Sequence, residues 1–169
     1  MNKLFLTTCA ALFAFSLSAQ PPMAATDITA ADVQAFVKSL PRDSTNDRPI
    51  RIVDVGGYKV GIYAVFRPSG STGAAVAHET KITEVYEIME GAGTLVTGGT
   101  IVDAKEQKGT AMGFANLSGP RIEGGTSRRV SKGDIIIIPG HVPHWWSHLE
   151  GDVTYLIVRP DPDGVLGLK

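Results

Sequence analysis

The sequence is poor in cysteine, with Cys9 alone among 169 residues, and it has no excess of either charge, since 16 Lys and Arg accompany 17 Asp and Glu. With so near-neutral a balance, nothing points to nucleic acid or an anionic membrane surface as a partner. No apolar run reaches the ~20 residues that a membrane-spanning helix requires. The length and the 43% apolar content are those of one globular domain with a hydrophobic core.

The N-terminal residues have the layout of a secretory signal peptide. Lys3 precedes an apolar run over residues 4–17, and small residues follow it. We assign residues 1–25 to this peptide, with cleavage between 19 and 25; a buried N-terminal helix is the alternative. Cleavage would remove Cys9, so neither disulfides nor thiol chemistry is expected. We therefore expect an exported protein, periplasmic or secreted, with no membrane insertion after signal removal.

Residues 26–48 are predicted to form one amphipathic helix and a linker. Thr29 or Asp27 is a plausible cap and Pro41 a stop. The apolar positions recur at helical spacing, at Val33, Phe36, Val37 and Leu40. This apolar face needs a partner surface, which is the basis in the sequence for expecting a homodimer.

Residues 49–169 are predicted to be all-β. Nineteen glycines and ten prolines indicate many turns. Between them lie short β-branched and aromatic runs over 50–55, 58–66, 84–89, 94–97, 135–138 and 153–158. Residues 103–120 lack this pattern and are predicted to be a long excursion rather than a core strand. Such strands can form a barrel or a two-sheet jelly roll, and small barrels often hold one ligand inside.

The four histidines fall in two short windows beside the most strand-like segments. In the first window His78 precedes Glu84, and in a straight strand these residues would lie ~20 Å apart. They can share a metal ion only if the chain doubles back near Lys81 and Ile82. The carboxylate of Glu84 would be costly to bury without a cation. That cation could instead be Arg128 or Arg129, if their strand is a neighbour.

The second window begins with a run of four isoleucines, Ile135 to Ile138, which looks buried and which Pro139 ends. A period of two then places His144, Trp146 and His148 on one face of a strand. His144 and His148 lie ~13 Å apart along that strand, too far for both to bind one ion. One of them is therefore at most a pocket residue.

The two windows resemble the paired motifs of the cupin superfamily. The first motif, G-x5-H-x-H-x3–4-E-x6-G, is matched by His78, Glu84 and Gly91, with Thr80 where the second histidine belongs. The second, G-x5-P-x-G-x2-H-x3-N, is matched by Gly133, Pro139 and His144, while His141 replaces its second glycine and His148 its asparagine. The resemblance implies a cupin-type double-stranded β-helix, or jelly-roll barrel, preceded by the N-terminal α-helix.

Carried over to these positions, the resemblance implies that His78, Glu84 and His144 are metal ligands. Two histidines and one carboxylate with open positions are typical of non-haem Fe(II) enzymes, but the same set suits Mn, Zn, Ni or Co. Water, Thr80 or His141 could fill the fourth place. Tyr86, Trp146 and His148 complete the set of expected pocket residues, although packing is the commoner role of such aromatic side chains.

These expectations leave two classes of function open. The first is a metal-dependent dioxygenase, isomerase or lyase acting on a small polar molecule. The second is a non-catalytic module that binds a small molecule or sugar, which the departure at Thr80 favours. A structural or adhesive role would leave the clustered histidines unexplained.

Overall fold

A computed structural model describes residues 24–107 and 115–169. The signal peptide predicted over residues 1–25 therefore lies outside the described residues except for its last two positions. The described part contains one helix, α1 (Ala30–Ser39), and these strands: β1 (Asn46–Asp54), β2 (Lys59–Arg67), β3 (Ala75–His78), β4 (Glu84–Glu90), β5 (Ala92–Thr97), β6 (Thr100–Ile101), β7 (Lys105–Gln107), β8 (Asn116–Gly119), β9 (Ile122–Glu123), β10 (Thr126–Ser131), β11 (Ile135–Ile138), β12 (His144–Leu149) and β13 (Val153–Asp161).

Helix α1 begins at a capping box. The Thr29 hydroxyl accepts a hydrogen bond from the backbone N–H of Asp32, whose carboxylate accepts one from the backbone N–H of Thr29. Phe36 and Val37 pack with the buried Leu40 against β2. The chain's own sheet thus covers part of the apolar face of the helix, on which Val33, Phe36 and Val37 stay half-buried. The homodimer remains a prediction. The first strand begins at Asn46, inside the segment predicted to be helix and linker.

The strands form two antiparallel sheets in a jelly roll. One sheet has the order β1-β2-β13-β4-β11 and the other the order β10-β5-β12-β3-β8-β7; β6 and β9 form a separate pair. Consecutive strands alternate between the two main sheets from β3 to β5 and again from β10 to β13. The largest core cluster lies between them. Among the described residues, no helix is both long and apolar enough to cross a membrane.

Two local expectations were wrong. The excursion over 103–120 contains β7 and β8, and β8 pairs with β3 inside the six-stranded sheet. The isoleucine run is only half buried: Ile136 and Ile138 face the core, but Ile135 and Ile137 are 65% and 67% exposed. The reason is the pleat, because neighbouring residues of a strand point to opposite faces and, in the part of the chain that the structure describes, no second layer covers the outer face of β11.

Candidate metal centre

The centre forms where two sheets meet at the end of β3 and the start of β4. The chain leaves β3 at His78 and re-enters the opposite sheet at Glu84, so the predicted reversal near Lys81 and Ile82 is present. Ile82 is fully buried and anchors this turn. The reversal brings Nε2 of His78 to 3.2 Å from Oε1 of Glu84.

His144, the first residue of β12, contributes the second imidazole of the centre. It pairs with Val76 of β3, which places its ring 5.1 Å from that of His78 between centroids. Its Nε2 lies 3.3 Å from Oε2 of Glu84. The turn before β12 is packed so closely that a Cβ on Gly140 would lie 2.6 Å from the carbonyl oxygen of Thr80. Contact between the two turns thus sets the entry of β12.

Both imidazoles are oriented by acceptors on their outer nitrogens. Nδ1 of His144 lies 3.1 Å from the carbonyl oxygen of Val142, and Nδ1 of His78 lies 2.7 Å from Oδ1 of Asn116. These oxygens only accept, so each Nδ1 carries the proton and each Nε2 faces Glu84. In a neutral imidazole with the proton on Nδ1, Nε2 carries a lone pair and no proton. Two lone pairs beside a carboxylate require a positive charge among them, either protons or a metal ion.

The donor atoms fit a divalent ion. One ligating atom from each of His78, Glu84 and His144 lies within 4.8 Å of the other two, and all three side chains are buried. Two atoms bound to one ion at ~2.1 Å with tetrahedral or octahedral angles lie about 3.0–3.4 Å apart. The distances of 3.2 Å from His78 Nε2 to Oε1 and 3.3 Å from His144 Nε2 to Oε2 fall in this range, so each imidazole approaches a different oxygen of Glu84. The acceptors on both Nδ1 atoms are the second layer that ligating histidines commonly have.

Glu84 has an internal counter-ion, but it is neither Arg128 nor Arg129. Arg159 of β13 donates from Nε to Oε1 of Glu84 at 2.7 Å. Arg129 instead pairs with Glu150 on the surface, and Arg128 is exposed. The alternative of pairing with Arg128 or Arg129 required their strand to be a neighbour, but β13 and β11, not β10, are the neighbours of β4 in the sheet.

The charges around Glu84 keep it ionised. Burial alone would raise the pKa of its carboxyl, but Arg159 and hydrogen bonds from both histidines hold that pKa well below its usual range. Burial, followed by the charge of Glu84, raises the pKa of Tyr86 well above its usual value. The Tyr86 hydroxyl therefore stays protonated and donates a hydrogen bond to Oε2 of Glu84 at 2.9 Å. The charge of Arg159 is shared with Asp47, which accepts hydrogen bonds of 3.1 and 2.6 Å.

A cavity of about 140 Å³ adjoins the centre. Besides the three candidate ligands, its lining consists of Asp47, Arg67, Val76, Tyr86, Tyr155 and Arg159. Tyr86 is thus the expected pocket residue that lies at this cavity. A larger groove of about 510 Å³ runs along β1 and β2 beside residues 24–28, but its charged lining residues are only Arg51 and Asp54. The smaller cavity is therefore the candidate site.

The structure places the other four expected pocket residues elsewhere. Thr80 lies in the turn after β3, where its hydroxyl accepts the backbone N–H of Ile82. His141 is exposed in the turn before β12 with a φ of 65°. Trp146 packs in the core, 5.7 Å from Tyr155 between ring centroids. His148 is exposed, because a register shift between Trp146 and His148 breaks the alternation that put it on the face of His144.

Besides the lining residues Val76 and Tyr155, four residues that carry charge or orient a ligand were missed from the sequence: Asp47, Arg67, Asn116 and Arg159. Arg67 and Arg159 each follow a predicted strand by one residue. Alternation would have placed Arg67 on the face of Tyr63 and Val65, and Arg159 on that of Tyr155 and Ile157. An arginine at an alternating position on the core-facing side of a predicted strand could therefore have indicated both site residues from the sequence. Asn116 had no such signal, since it lies in the segment read as an excursion.

No family model matches the chain, and no curated protein matches its sequence. Solved structures similar to it include the polyketide cyclase RemF from Streptomyces resistomycificus, at 14% identity and a TM-score of 0.43, covering 70% of this chain and 66% of that one. A recombinant oxalate oxidase in complex with glycolate has 17% identity and a TM-score of 0.45, covering 77% and 57%. Peruvianin-I, a cysteine peptidase from Thevetia peruviana latex, has 15% identity and a TM-score of 0.44, covering 92% and 90%. The chain spans just under two thirds of the cyclase and 57% of the oxidase. Their activities differ, so these likenesses assign none to this chain.

Proposed function

We propose that this chain is an exported metalloprotein of the cupin superfamily that acts as an enzyme on a small polar molecule. In this proposal His78, Glu84 and His144 hold one divalent first-row metal ion. The two sequence motifs support the family, and the buried cluster of these three side chains supports the ion. The ion's identity stays open among Fe, Mn, Zn and Ni, because two imidazoles and a carboxylate suit all of them.

One observation carries the proposal. Both Nδ1 atoms are held by acceptors, so both Nε2 atoms turn toward the same carboxylate. Neutralising Glu84 in the core would need only one histidine beside it. Here two histidines from different strands direct their Nε2 atoms at the same carboxylate. Two oriented Nε2 atoms and a carboxylate at ligand separations form a preorganised donor set.

The chain's own residues would prepare this site for chemistry. A bound ion would supply a Lewis acid or a site for dioxygen at its open positions. Arg159 keeps Glu84 ionised and fixes Oε1, while the Tyr86 hydroxyl fixes Oε2. Thr80 is not positioned as a fourth ligand, because it does not line the cavity and its hydroxyl accepts a hydrogen bond from the backbone N–H of Ile82 in the turn after β3. The ring of Tyr155 lines the cavity beside Tyr86, with 4.7 Å between centroids.

Elemental analysis of the purified mature protein tests the ion. We expect about one equivalent of a divalent metal per chain, and loss of it in His78→Ala and His144→Ala. His148→Ala is a matched control, since this histidine is exposed on the same strand as His144. Circular dichroism should show that each variant stays folded. A full equivalent of metal in both His78→Ala and His144→Ala would refute the centre.

Turnover is tested on the metal-loaded protein. A panel of small polar molecules is incubated with it, while oxygen consumption and product spectra are recorded by electrode and NMR. Turnover that disappears in His144→Ala but persists in His148→Ala supports an enzyme. Ligand binding without turnover across the panel would contradict the catalytic part of the proposal.

A non-catalytic binding module is the second candidate, and one observation favours it. Arg159 is paired with Glu84, so this carboxylate has a counter-ion even without a metal. In that case protons on the imidazoles would take the place of the metal. The elemental analysis distinguishes the two, because a binding module of this kind would be metal-free.

Export is proposed from the N-terminal residues alone. Lys3 followed by the apolar run over 4–17 supports a signal peptide that ends between residues 19 and 25. Mass spectrometry of the protein from a fractionated bacterial expression host should show a mature N-terminus in that interval. Full-length protein that stays in the cytosolic fraction would contradict export.

A further inference from the structure

Arg67 is a charged group at the cavity that the proposed metal centre does not use. It is the last residue of β2, half-buried, and its side chain lines the cavity together with the candidate ligands. Nε donates to the Tyr155 hydroxyl at 3.0 Å and Nη1 to the carbonyl oxygen of Thr72 at 3.3 Å. Both partners are neutral. Within residues 24–107 and 115–169, Nη2 has no hydrogen-bond partner and the guanidinium has no ion pair.

The charges of the cavity lining show what is missing beside Arg67. Its two carboxylates, Asp47 and Glu84, both bind Arg159. Arg67 is therefore left as a permanent cation that faces a confined space without an anion of its own. If both histidines are neutral, the two guanidinium groups balance the two carboxylates, and a divalent ion then leaves the cavity with two excess positive charges.

We infer that the cavity binds a small carboxylic acid as its anion, with one carboxylate on Arg67 and a second polar group directed at His78, Glu84 and His144. The inference deepens the proposed function and rests on it for that second anchor and for the excess positive charge of the cavity, while the unpaired guanidinium of Arg67 does not depend on it. A guanidinium is matched in shape to a planar carboxylate. At about 140 Å³ the cavity is smaller than the ~300–1,000 Å³ of sites for drug-sized ligands, so a ligand on the order of two to four carbons fits.

Isothermal titration with malonate as the probe tests this inference, with the neutral malonamide as its isostere. Malonate should bind the wild-type protein, and malonamide should bind at least about 10-fold more weakly. Arg67→Met should weaken malonate binding by about 10- to 100-fold, since a charge-assisted pair is lost. Arg67→Lys keeps the charge but not the planar fork, so its loss should be smaller. Arg48→Met is the matched control, an exposed arginine on β1, and should change binding by less than about twofold.

Failure of the inference can be told from failure of the metal centre. Metal content and thermal unfolding are measured for every variant, and titrations are repeated after chelation. If Arg67→Met keeps its metal and fold but loses malonate, the inference is supported. If it binds malonate like the wild type, the inference is overturned while the metal centre stands. Should no metal bind at all, malonate binding that still depends on Arg67 would sustain the anion site by itself.

Two comparisons within the wild-type protein need no variant, so a folding defect in Arg67→Met cannot leave the question open. Equal affinity for malonate and malonamide would overturn the inference, because charge would then contribute nothing. Tighter binding of inorganic phosphate than of malonate would overturn the choice of a carboxylate.

Discussion

Arg159 is the buried cation on which the charge balance of the site depends, and replacing it with methionine tests that role. The Arg159 residue is 1% exposed. It joins Glu84, also 1% exposed, to Asp47, and its guanidinium lies 4.1 Å from the centroid of Tyr63. Methionine fills similar volume but carries no charge. In the metal-free protein, Arg159→Met would therefore leave the Glu84 carboxylate in the core without its strongest counter-ion.

The loss of unfolding free energy in Arg159→Met depends on which of the two carboxylates can be rehydrated. The Asp47 side chain is 28% exposed and can recover water, but Glu84 cannot. Removing one partner of a buried ion pair costs about 3–5 kcal/mol of unfolding free energy, far above the ~0–1 kcal/mol of a surface pair. At about 3 °C per kcal/mol for a chain of this size, the melting temperature should fall by on the order of 10 °C.

Urea unfolding of the chelated mature protein measures this free energy. Glu84→Gln is the companion variant, because it leaves Arg159 paired with Asp47 and should cost less, about 1–3 kcal/mol. The double variant should cost less than the sum of the two, since no uncompensated carboxylate remains in the core and Asp47 can recover water. Arg129→Met, which breaks the exposed pair with Glu150, is the surface control. A loss below about 1 kcal/mol in Arg159→Met would refute the reasoning.

Three further predictions concern the turns and the outer layer of the centre. Gly140→Ala should lower the free energy of unfolding in urea by about 1–3 kcal/mol, because the added Cβ would lie 2.6 Å from the carbonyl oxygen of Thr80. Gly151→Ala, where a Cβ would meet nothing within 4 Å, should change this free energy little. Equal losses in the two variants would contradict the close packing of the turns before β12 and after β3. His141→Gly should raise the unfolding free energy by about 1 kcal/mol, since a φ of 65° strains a side chain at this exposed turn; a melting temperature that falls would argue against that strain. Asn116→Ala should weaken metal affinity about 10- to 100-fold in a chelator competition, because His78 loses the acceptor on Nδ1; unchanged affinity would remove Asn116 from the site.

The fold and the three candidate ligands were accessible from the sequence because they depend on local patterns. Period-two runs between glycines and prolines predicted the strands, and motif spacing selected His78, Glu84 and His144 among the possible donors. The same local reasoning failed at His148, where a register shift moves the side chain to the outer face. It also failed at the segment containing Asn116, whose strand is defined by its pairing with β3.

Sequence pattern by itself determined that this chain is an all-β protein and that the imidazoles and the carboxylate lie beside two of its turns. Only the tertiary structure decided which cations and acceptors surround them. Arg159 reaches Glu84 across a strand pair 75 residues apart in the chain, and Asn116 reaches His78 across 38. Strand order sets such long-range partners, and it comes from the packing of the whole sheet rather than from any single segment.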